Sequence, residues 1–210
     1  MTARPVSRRI GVFGGTFDPP HVGHLALAEC ARDELKLDRV LFVTAARPPH
    51  KPAQRLSHPS HRWAMTRLAV RDFKTFVASD FEMRRRGASY MVDTLRAIHR
   101  ENPGAELWLI LGEDSLCGFH GWKDPEAILE FARLAVARRR DPGGDRASLR
   151  AAFTGPAALR RRMTWLSSPV LEVASSELRE RARRGASLAV LVPDPVVRYV
   201  RRHRLYAGGA

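Results

Sequence analysis

Two histidines three residues apart, His21 and His24, close an eleven-residue stretch that opens on Gly14 and Gly15 and also holds Thr16, Phe17 and Asp18. Imidazoles at that spacing could ligate a metal ion, fix one another's tautomers, or donate hydrogen bonds to phosphate oxygens. A zinc site needs a third and a fourth ligand. The adjacent residues supply only Asp18, and Pro19 and Pro20 hold the turn stiff instead, so phosphate is the favoured partner and no metal ligand set is assigned. A second set of groups with the same chemistry lies near the other end of the chain, where Ser175 and Ser176 precede a helix carrying Arg179. Hydroxyls, helix-end amides and an arginine make an anion site. A plain capping box with Ser176 as the cap is the competing reading.

Elements must hold these groups in place. Ile10, Val12 and Phe13 form a short apolar run with the character of a buried strand, and the two glycines end it. Beyond the turn, Leu25, Leu27, Ala28 and Ala31 recur at helical spacing. Strand, glycine turn and helix together aim backbone N–H groups at an anion, on backbone that carries no side chain in the way. The chain has neither a G-x-G-x-x-G nor a Walker Lys-Ser/Thr, so the glycines alone say little. Val40 to Val43 reads as a second strand, which implies a parallel crossover and an α/β sheet. A long loop follows from Ala46 to Ser60, with prolines at 48, 49, 52 and 59, where Pro48 and Pro49 either present His50 and Lys51 beside the sheet or leave them as plain exposed loop residues. A helix opens near Pro59 or Ser60, and Thr75 to Ser79 forms a third strand.

Ser89 is placed as the N-cap of a helix that begins at Tyr90, with Asp93 in its first turn and Thr94 following. Leu107 to Leu111 is a central strand, capped by Gly112 and Glu113. Asp114 stands where an acceptor carboxylate can hold a ribose hydroxyl, or where it can cap the helix from Ser115. Phe119 and Trp122 flank Gly121 and offer either core packing or an aromatic face for a flat ring. Pro125 to Phe131 reads as a helix, Leu134 to Ala137 as a strand ending in Arg138 to Arg140 and the turn from Asp141, and Met163 to Leu166 as an edge strand. Arg179, on the first turn of its helix, is expected to be exposed. The tail from Val192 to Tyr206 forms an amphipathic helix, and the C-terminal helical part covers about 175–206.

Composition bounds the rest. The 210 residues are 44% hydrophobic and 28% charged, which fits one globular domain spanning 1–210. No apolar run approaches ~20 residues, so no membrane partner is expected and the expected compartment is the cytoplasm. Cys30 and Cys117 are expected to be packed, reduced thiols. The formal charge of +14 raises the question of nucleic acid, yet only four of the 36 basic residues are lysines. The arginine triplets at 84–86, 138–140 and 160–162 are separated by folded segments. Solvated faces account for them, nucleic acid is not the expected partner, and the charge can still steer anionic nucleotides.

The stretch G-G-T-F-D-P-x-H-x-G-H closely resembles the signature of the nucleotidyltransferase superfamily with H-x-G-H motifs, related to class I tRNA synthetases. Pro48 to Lys51 resembles a loop that follows the second strand in nicotinate mononucleotide adenylyltransferases. Ser89 to Thr94 resembles that family's Ser-Tyr-Thr-x-Asp-Thr motif at the nicotinate pocket, with Met91 where threonine is usual. Ala174 to Arg179 resembles the superfamily's Ser-Ser-Thr-x-x-Arg motif, with Ala174 for the first serine and Ser176 for the threonine. The resemblance covers nearly the whole chain.

It implies a doubly wound, Rossmann-like parallel sheet with helices on both faces. The reaction it implies joins ATP and nicotinate mononucleotide to give nicotinate adenine dinucleotide and pyrophosphate, with Mg²⁺ accompanying the ATP. On that reading His21, His24 and Arg179 are catalytic. Gly14, Gly15, Thr16, Phe17, Gly112, Asp114, Ser175, Ser176 and Arg179 meet ATP, and Lys51, Tyr90, Met91, Asp93, Thr94 and Trp122 meet the mononucleotide. Nicotinamide mononucleotide or pantetheine-phosphate adenylyltransfer is the rival within the superfamily. A nucleic-acid-binding protein on the same scaffold is the rival of another class. A homo-oligomer is left open.

Overall fold

Six apolar runs pair into a single parallel sheet in the computed structural model, which describes residues 8–49, 56–137, 161–167, 171 and 173–207. The strands are β1 (Arg9–Gly15), β2 (Arg39–Thr44), β3 (Phe76–Ser79), β4 (Glu106–Gly112), β5 (Ala132–Ala137) and β6 (Met163–Leu166), in the order β3-β2-β1-β4-β5-β6. Every pairing is parallel. The helices are α1 (Val22–Leu35), α2 (Pro59–Val70), α3 (Met91–Glu101), α4 (Glu113–Cys117), α5 (Pro125–Phe131), α6 (Ser175–Arg183) and α7 (Asp194–Arg202), with a 3₁₀ turn at Phe119–Gly121.

Strand residues alternate between two cores, as the two-residue period of a strand requires. Ile10, Val12, Leu109 and Leu111 pack against Val92, Leu95 and Ile98 of α3 and Ile128 of α5. Phe13, Phe42, Trp108 and Ile110 point the other way, onto Ala28, Ala31 and Leu35 of α1 and Val70 of α2. Helices therefore cover both faces, and the doubly wound sheet expected from the sequence is the one observed. A third cluster joins Met65 and Ala69 of α2 to Leu178 of α6 and Val196, Val197 and Val200 of α7. The C-terminal helical part is thereby fastened to the side of the sheet on which α2 lies.

The winding reverses between β1 and β4, the position at which doubly wound sheets open a ligand crevice. The registers show how it opens here: β1 pairs with β2 as far as Gly15↔Thr44 but with β4 only as far as Val12↔Leu109. Past Val12 the two central strands part company. The residues beyond that point, Phe13 to Gly15 on one side and Gly112 on the other, form the lips of a cleft.

Several expectations need correction or fall elsewhere. Cys117 is exposed at the end of α4 rather than packed, while Cys30 is half-buried. Arg85, from the first arginine triplet, is half-buried and engaged rather than simply solvated, because it bonds the Thr94 hydroxyl and the Ala88 carbonyl. His50, Lys51, Arg138 to Arg140 and the turn from Asp141 lie outside the described residues. No helix among the described residues is long and apolar enough to cross a membrane.

Candidate active site

The cleft encloses about 720 Å³ and is lined by the glycine turn, both histidines, the start of α3, the start of α4 and the start of α6. Four helix N-termini thus converge on it, those of α1, α3, α4 and α6, each the positive end of a helix dipole.

At the first of them His21 is the N-cap of α1, with extended backbone, and its own N–H donates to Nδ1 of His24 at 3.2 Å. Because that nitrogen accepts, the proton of neutral His24 sits on Nε2. The two rings lie against each other, tilted by 31° with centroids 3.7 Å apart, and Phe17 meets His24 edge-on at 5.0 Å. Phe17 is buried at φ 50, a left-handed conformation that a phenylalanine adopts only where packing imposes it. Gly23 is open for a steric reason: a Cβ there would come to 3.1 Å from Nδ1 of His21. The amide of Val22 is committed to the Leu191 carbonyl at 3.0 Å. The expectation that the helix start offers all its amides to an anion is corrected to that extent, and the imidazoles carry more of the donor role.

Burial lowers the pKa of His21 to about 4, from 6.5 in an unfolded chain, and its Nδ1 has no hydrogen-bond partner among the described residues. The folded protein therefore holds a neutral imidazole at pH 7. Between those two pKa values the unfolded chain binds the extra proton and the folded one does not, so this residue's contribution to stability is full above pH 6.5 and falls as pH drops towards 4. The loss approaches about 3 kcal/mol at and below the folded pKa. Urea unfolding of the parent and of His21→Asn at pH 7 and pH 4 measures it. The substituted protein is expected to lose less stability on acidification by roughly that amount, and equal losses would remove His21 from the acid response.

At the second helix start the N-cap of α6 is Ala174, so neither Ser175 nor Ser176 is the cap. The Ser175 hydroxyl instead donates to the Pro19 carbonyl at 2.9 Å, and Arg179 donates from its guanidinium to the Asp18 carbonyl at 2.9 Å. The helix grips the turn that leads into His21. Arg179 is half-buried on the second turn, not exposed on the first, because that carbonyl draws it inward. Ser176 is exposed and lines the cleft along with Arg179. Across the crevice Gly112 caps α4 and Asp114 sits in its first turn, so Asp114 does not cap the helix itself.

At the third helix start the expected capping of α3 is also corrected. Tyr90 is the N-cap and the helix begins at Met91. Ser89 is drawn away by the β2 loop: its hydroxyl accepts from the Arg47 N–H at 3.0 Å, and its N–H donates to the Arg47 carbonyl. Met91 lies over Gly14, where a Cβ would overlap its terminal methyl. One face of the Tyr90 ring is covered by the Lys123 ammonium at 4.6 Å, whereas Trp122 has Phe119 beside it at 5.6 Å and lines the cleft. Asp93 and Thr94 do not line it. The Asp93 carboxylate is taken by Arg96 and Lys123 at 3.3 Å and Arg85 at 3.7 Å, and the buried Thr94 hydroxyl donates to Glu82 at 2.7 Å. Both are bonded to residues behind the cleft wall. Lys51 is outside the described residues.

Three polar residues that hold the site escape a reading of the sequence. Arg62, fully buried on α2, donates to the carbonyls of Thr16, Ala45, Ala46 and Ser57 at 2.5–3.1 Å, pinning the loops after β1 and β2 to one guanidinium. Asp18 is buried, accepts from the Ser57 N–H at 2.9 Å, and accepts from the Tyr206 hydroxyl at 2.6 Å. Burial, with the Asp18 carboxylate next to it, raises the Tyr206 phenol far above its ordinary value, so it remains a donor at any physiological pH. The third is Glu82, buried on the cleft wall. Helical spacing on α2 carried a faint signal for Arg62, which falls on the same face as the buried Met65, Thr66 and Ala69.

A model of the cytidylyltransferase-like family matches residues 12–181. A Geobacter sulfurreducens protein named "Probable nicotinate-nucleotide adenylyltransferase" is 42% identical, over 95% of this chain and 98% of its own. A Synechococcus protein of the same name is 40% identical over 96% of each chain. Among solved structures, a Plasmodium falciparum nicotinic acid mononucleotide adenylyltransferase complexed with NaAD superposes with a TM-score of 0.75 over 95% of this chain and 97% of its own, at 17% identity, a likeness of fold. The sheet order, the cleft at its switch point and these full-length matches agree: the chain belongs to the nicotinate-nucleotide adenylyltransferase family, within the cytidylyltransferase-like group.

Proposed function

We propose that the protein joins ATP and nicotinate mononucleotide, a phosphate oxygen of the mononucleotide attacking the α-phosphorus of ATP while the bond to the β-phosphate breaks and pyrophosphate leaves. The observation that carries this reading is one cleft on which four helix N-termini converge, lined also by the glycine turn and by Tyr90 and Trp122. Two anionic substrates need such an arrangement. No covalent intermediate on the protein is required, and the work is positioning and charge stabilisation. The solved Plasmodium neighbours, one complexed with APC and the other with NaAD, support the reading.

In this scheme Gly14 to Phe17 provide the backbone on which ATP rests, and the Nε2 proton of His24 and the imidazole of His21 meet its phosphates. Gly112 and Asp114 face the nucleoside, while Ser175, Ser176 and Arg179 meet the departing pyrophosphate. Trp122, Tyr90 and Met91 bound the pyridine ring, and Lys51 meets the mononucleotide from its loop. Asp93 and Thr94 brace this end from behind. No group of three or more His, Cys, Asp or Glu among the described residues could hold a metal ion, and Asp18 is already committed to Tyr206 and Ser57. Magnesium accompanies the ATP substrate in this scheme, where phosphate oxygens and water can hold it. Pyrophosphate release measured with ATP and a panel of mononucleotides tests the assignment, and release with pantetheine phosphate but not with nicotinate mononucleotide would overturn it.

Arg179→Ala follows as a prediction. Loss of a charged donor to the leaving group is expected to lower kcat/KM for ATP by roughly ten- to a hundredfold. A variant that melts early yet shows parental kinetics below its transition would make Arg179 purely structural.

A further inference from the structure

Glu82 is the buried carboxyl that the scheme above leaves unused. It is 3% exposed, lies in the turn after β3, and forms part of the cleft wall beside Ser89, Tyr90 and Met91. Its Oε1 accepts from the Thr94 hydroxyl at 2.7 Å, but its Oε2 has no hydrogen-bond partner among the described residues. An acceptor oxygen buried without a donor is costly, and native structures retain such an atom where something else satisfies it. The residue that carries this atom lines the ligand cleft, at the end assigned to the second substrate.

The chemistry of that substrate narrows the partner. Nicotinate mononucleotide presents a carboxylate, a phosphate and a ribose, and the ribose hydroxyls are its standing hydrogen-bond donors. Resting on the assignment of the second substrate made above, we propose that Glu82 is a specificity-determining residue whose Oε2 accepts a hydrogen bond from a ribose hydroxyl of the mononucleotide. The surroundings suit an acceptor. Burial is the largest influence on the carboxyl and raises its pKa on balance, and the Thr94 and Ser89 hydroxyls and the Arg85 and Arg62 guanidinia oppose that shift. The nearest acidic neighbour on α3, Asp93, is itself held by Arg85, Arg96 and Lys123. A carboxyl braced in this way holds its free oxygen in one direction, which is what reading a single hydroxyl demands.

The test uses the full-length protein with ATP and three second substrates: nicotinate mononucleotide, its 2′-deoxy analogue and its 3′-deoxy analogue. The parent protein is expected to use one deoxy analogue roughly ten- to a hundredfold less well in kcat/KM, the loss appropriate to leaving a buried polar atom without its hydrogen bond. Glu82→Met is expected to erase that discrimination while leaving KM for ATP within about twofold. Equal use of all three substrates by the parent protein overturns the proposal, and this arm needs no folded variant. Discrimination that survives in Glu82→Met also overturns it, as does a variant that alters only the preference between ring carboxylate and carboxamide, which would put the contact on the ring. Absence of product with nicotinate mononucleotide itself tells instead against the reading of the second substrate, so the two failures are distinct.

Discussion

His24→Ala is expected to form dinucleotide on the order of a hundredfold or more slowly than the parent protein, with KM for ATP changed by no more than a few-fold. The reason is the geometry of one imidazole. Nδ1 of His24 is occupied as acceptor of the His21 N–H, so its Nε2 proton is the hydrogen the ring can donate. A donor held in this way, with Phe17 against one edge and the tilted His21 ring lying against it, reorganises little when charge moves onto the phosphates. Such preorganised donors are worth ~3 kcal/mol in the transition state and much less in the ground state, so the loss appears in kcat. The substitution also frees the His21 N–H and leaves His21 without the ring beside it. His24→Asn restores a side-chain acceptor near that N–H and separates the two effects. Steady-state pyrophosphate release decides the matter, and turnover by His24→Ala within about threefold of the parent removes His24 from the chemistry.

Much of this arrangement can be read from residue order, because apolar period and turn chemistry are local signals. The α5 helix at Pro125–Phe131 and the β6 strand at Met163–Leu166 have the boundaries that the sequence predicts. Proline at the first position of α5 and the continuous apolar runs of a parallel sheet leave little freedom there. Helix caps were harder, for a shared reason. Ser89 and Ser176 both have the composition of caps, yet Ser89 is claimed by the Arg47 N–H from another loop and the true cap of α6 is Ala174. A tertiary partner displaces the local one at Ser89, and at α6 it is the neighbouring Ser175 hydroxyl that a tertiary partner, the Pro19 carbonyl, takes. The polar groups that brace the site were harder still. An arginine and a glutamate read as surface residues, and nothing within five residues of Arg62 announces the carbonyls of Thr16, Ala45 and Ala46, which the fold brings to it across 16 to 46 positions. The glycine and histidine turn is legible because it is local, and its supports are not because they are long-range.

Preference for the acid over the amide is the second large effect expected, and its origin lies at the start of α3. With Tyr90 as N-cap, the first intrahelical bond runs from the Thr94 N–H to the Tyr90 carbonyl. The amides of Met91, Val92 and Asp93 precede it and carry the positive end of the helix dipole. Asp93 would oppose that field, but its carboxylate is neutralised by Arg85, Arg96 and Lys123. A pyridine carboxylate set between Trp122 and these amides accepts with both oxygens. A carboxamide accepts with one and turns its NH₂ towards a second donor, leaving that donor unsatisfied at a cost of roughly 1 to 3 kcal/mol. Discrimination of about ten- to a hundredfold in kcat/KM follows. Methionine at position 91 preserves it, since the donors belong to the main chain and the Met91 side chain is occupied over Gly14. Parallel measurements with nicotinate and nicotinamide mononucleotides at fixed ATP decide the point: equal kcat/KM values would place the ring substituent away from α3 and make the protein a dual-specificity enzyme.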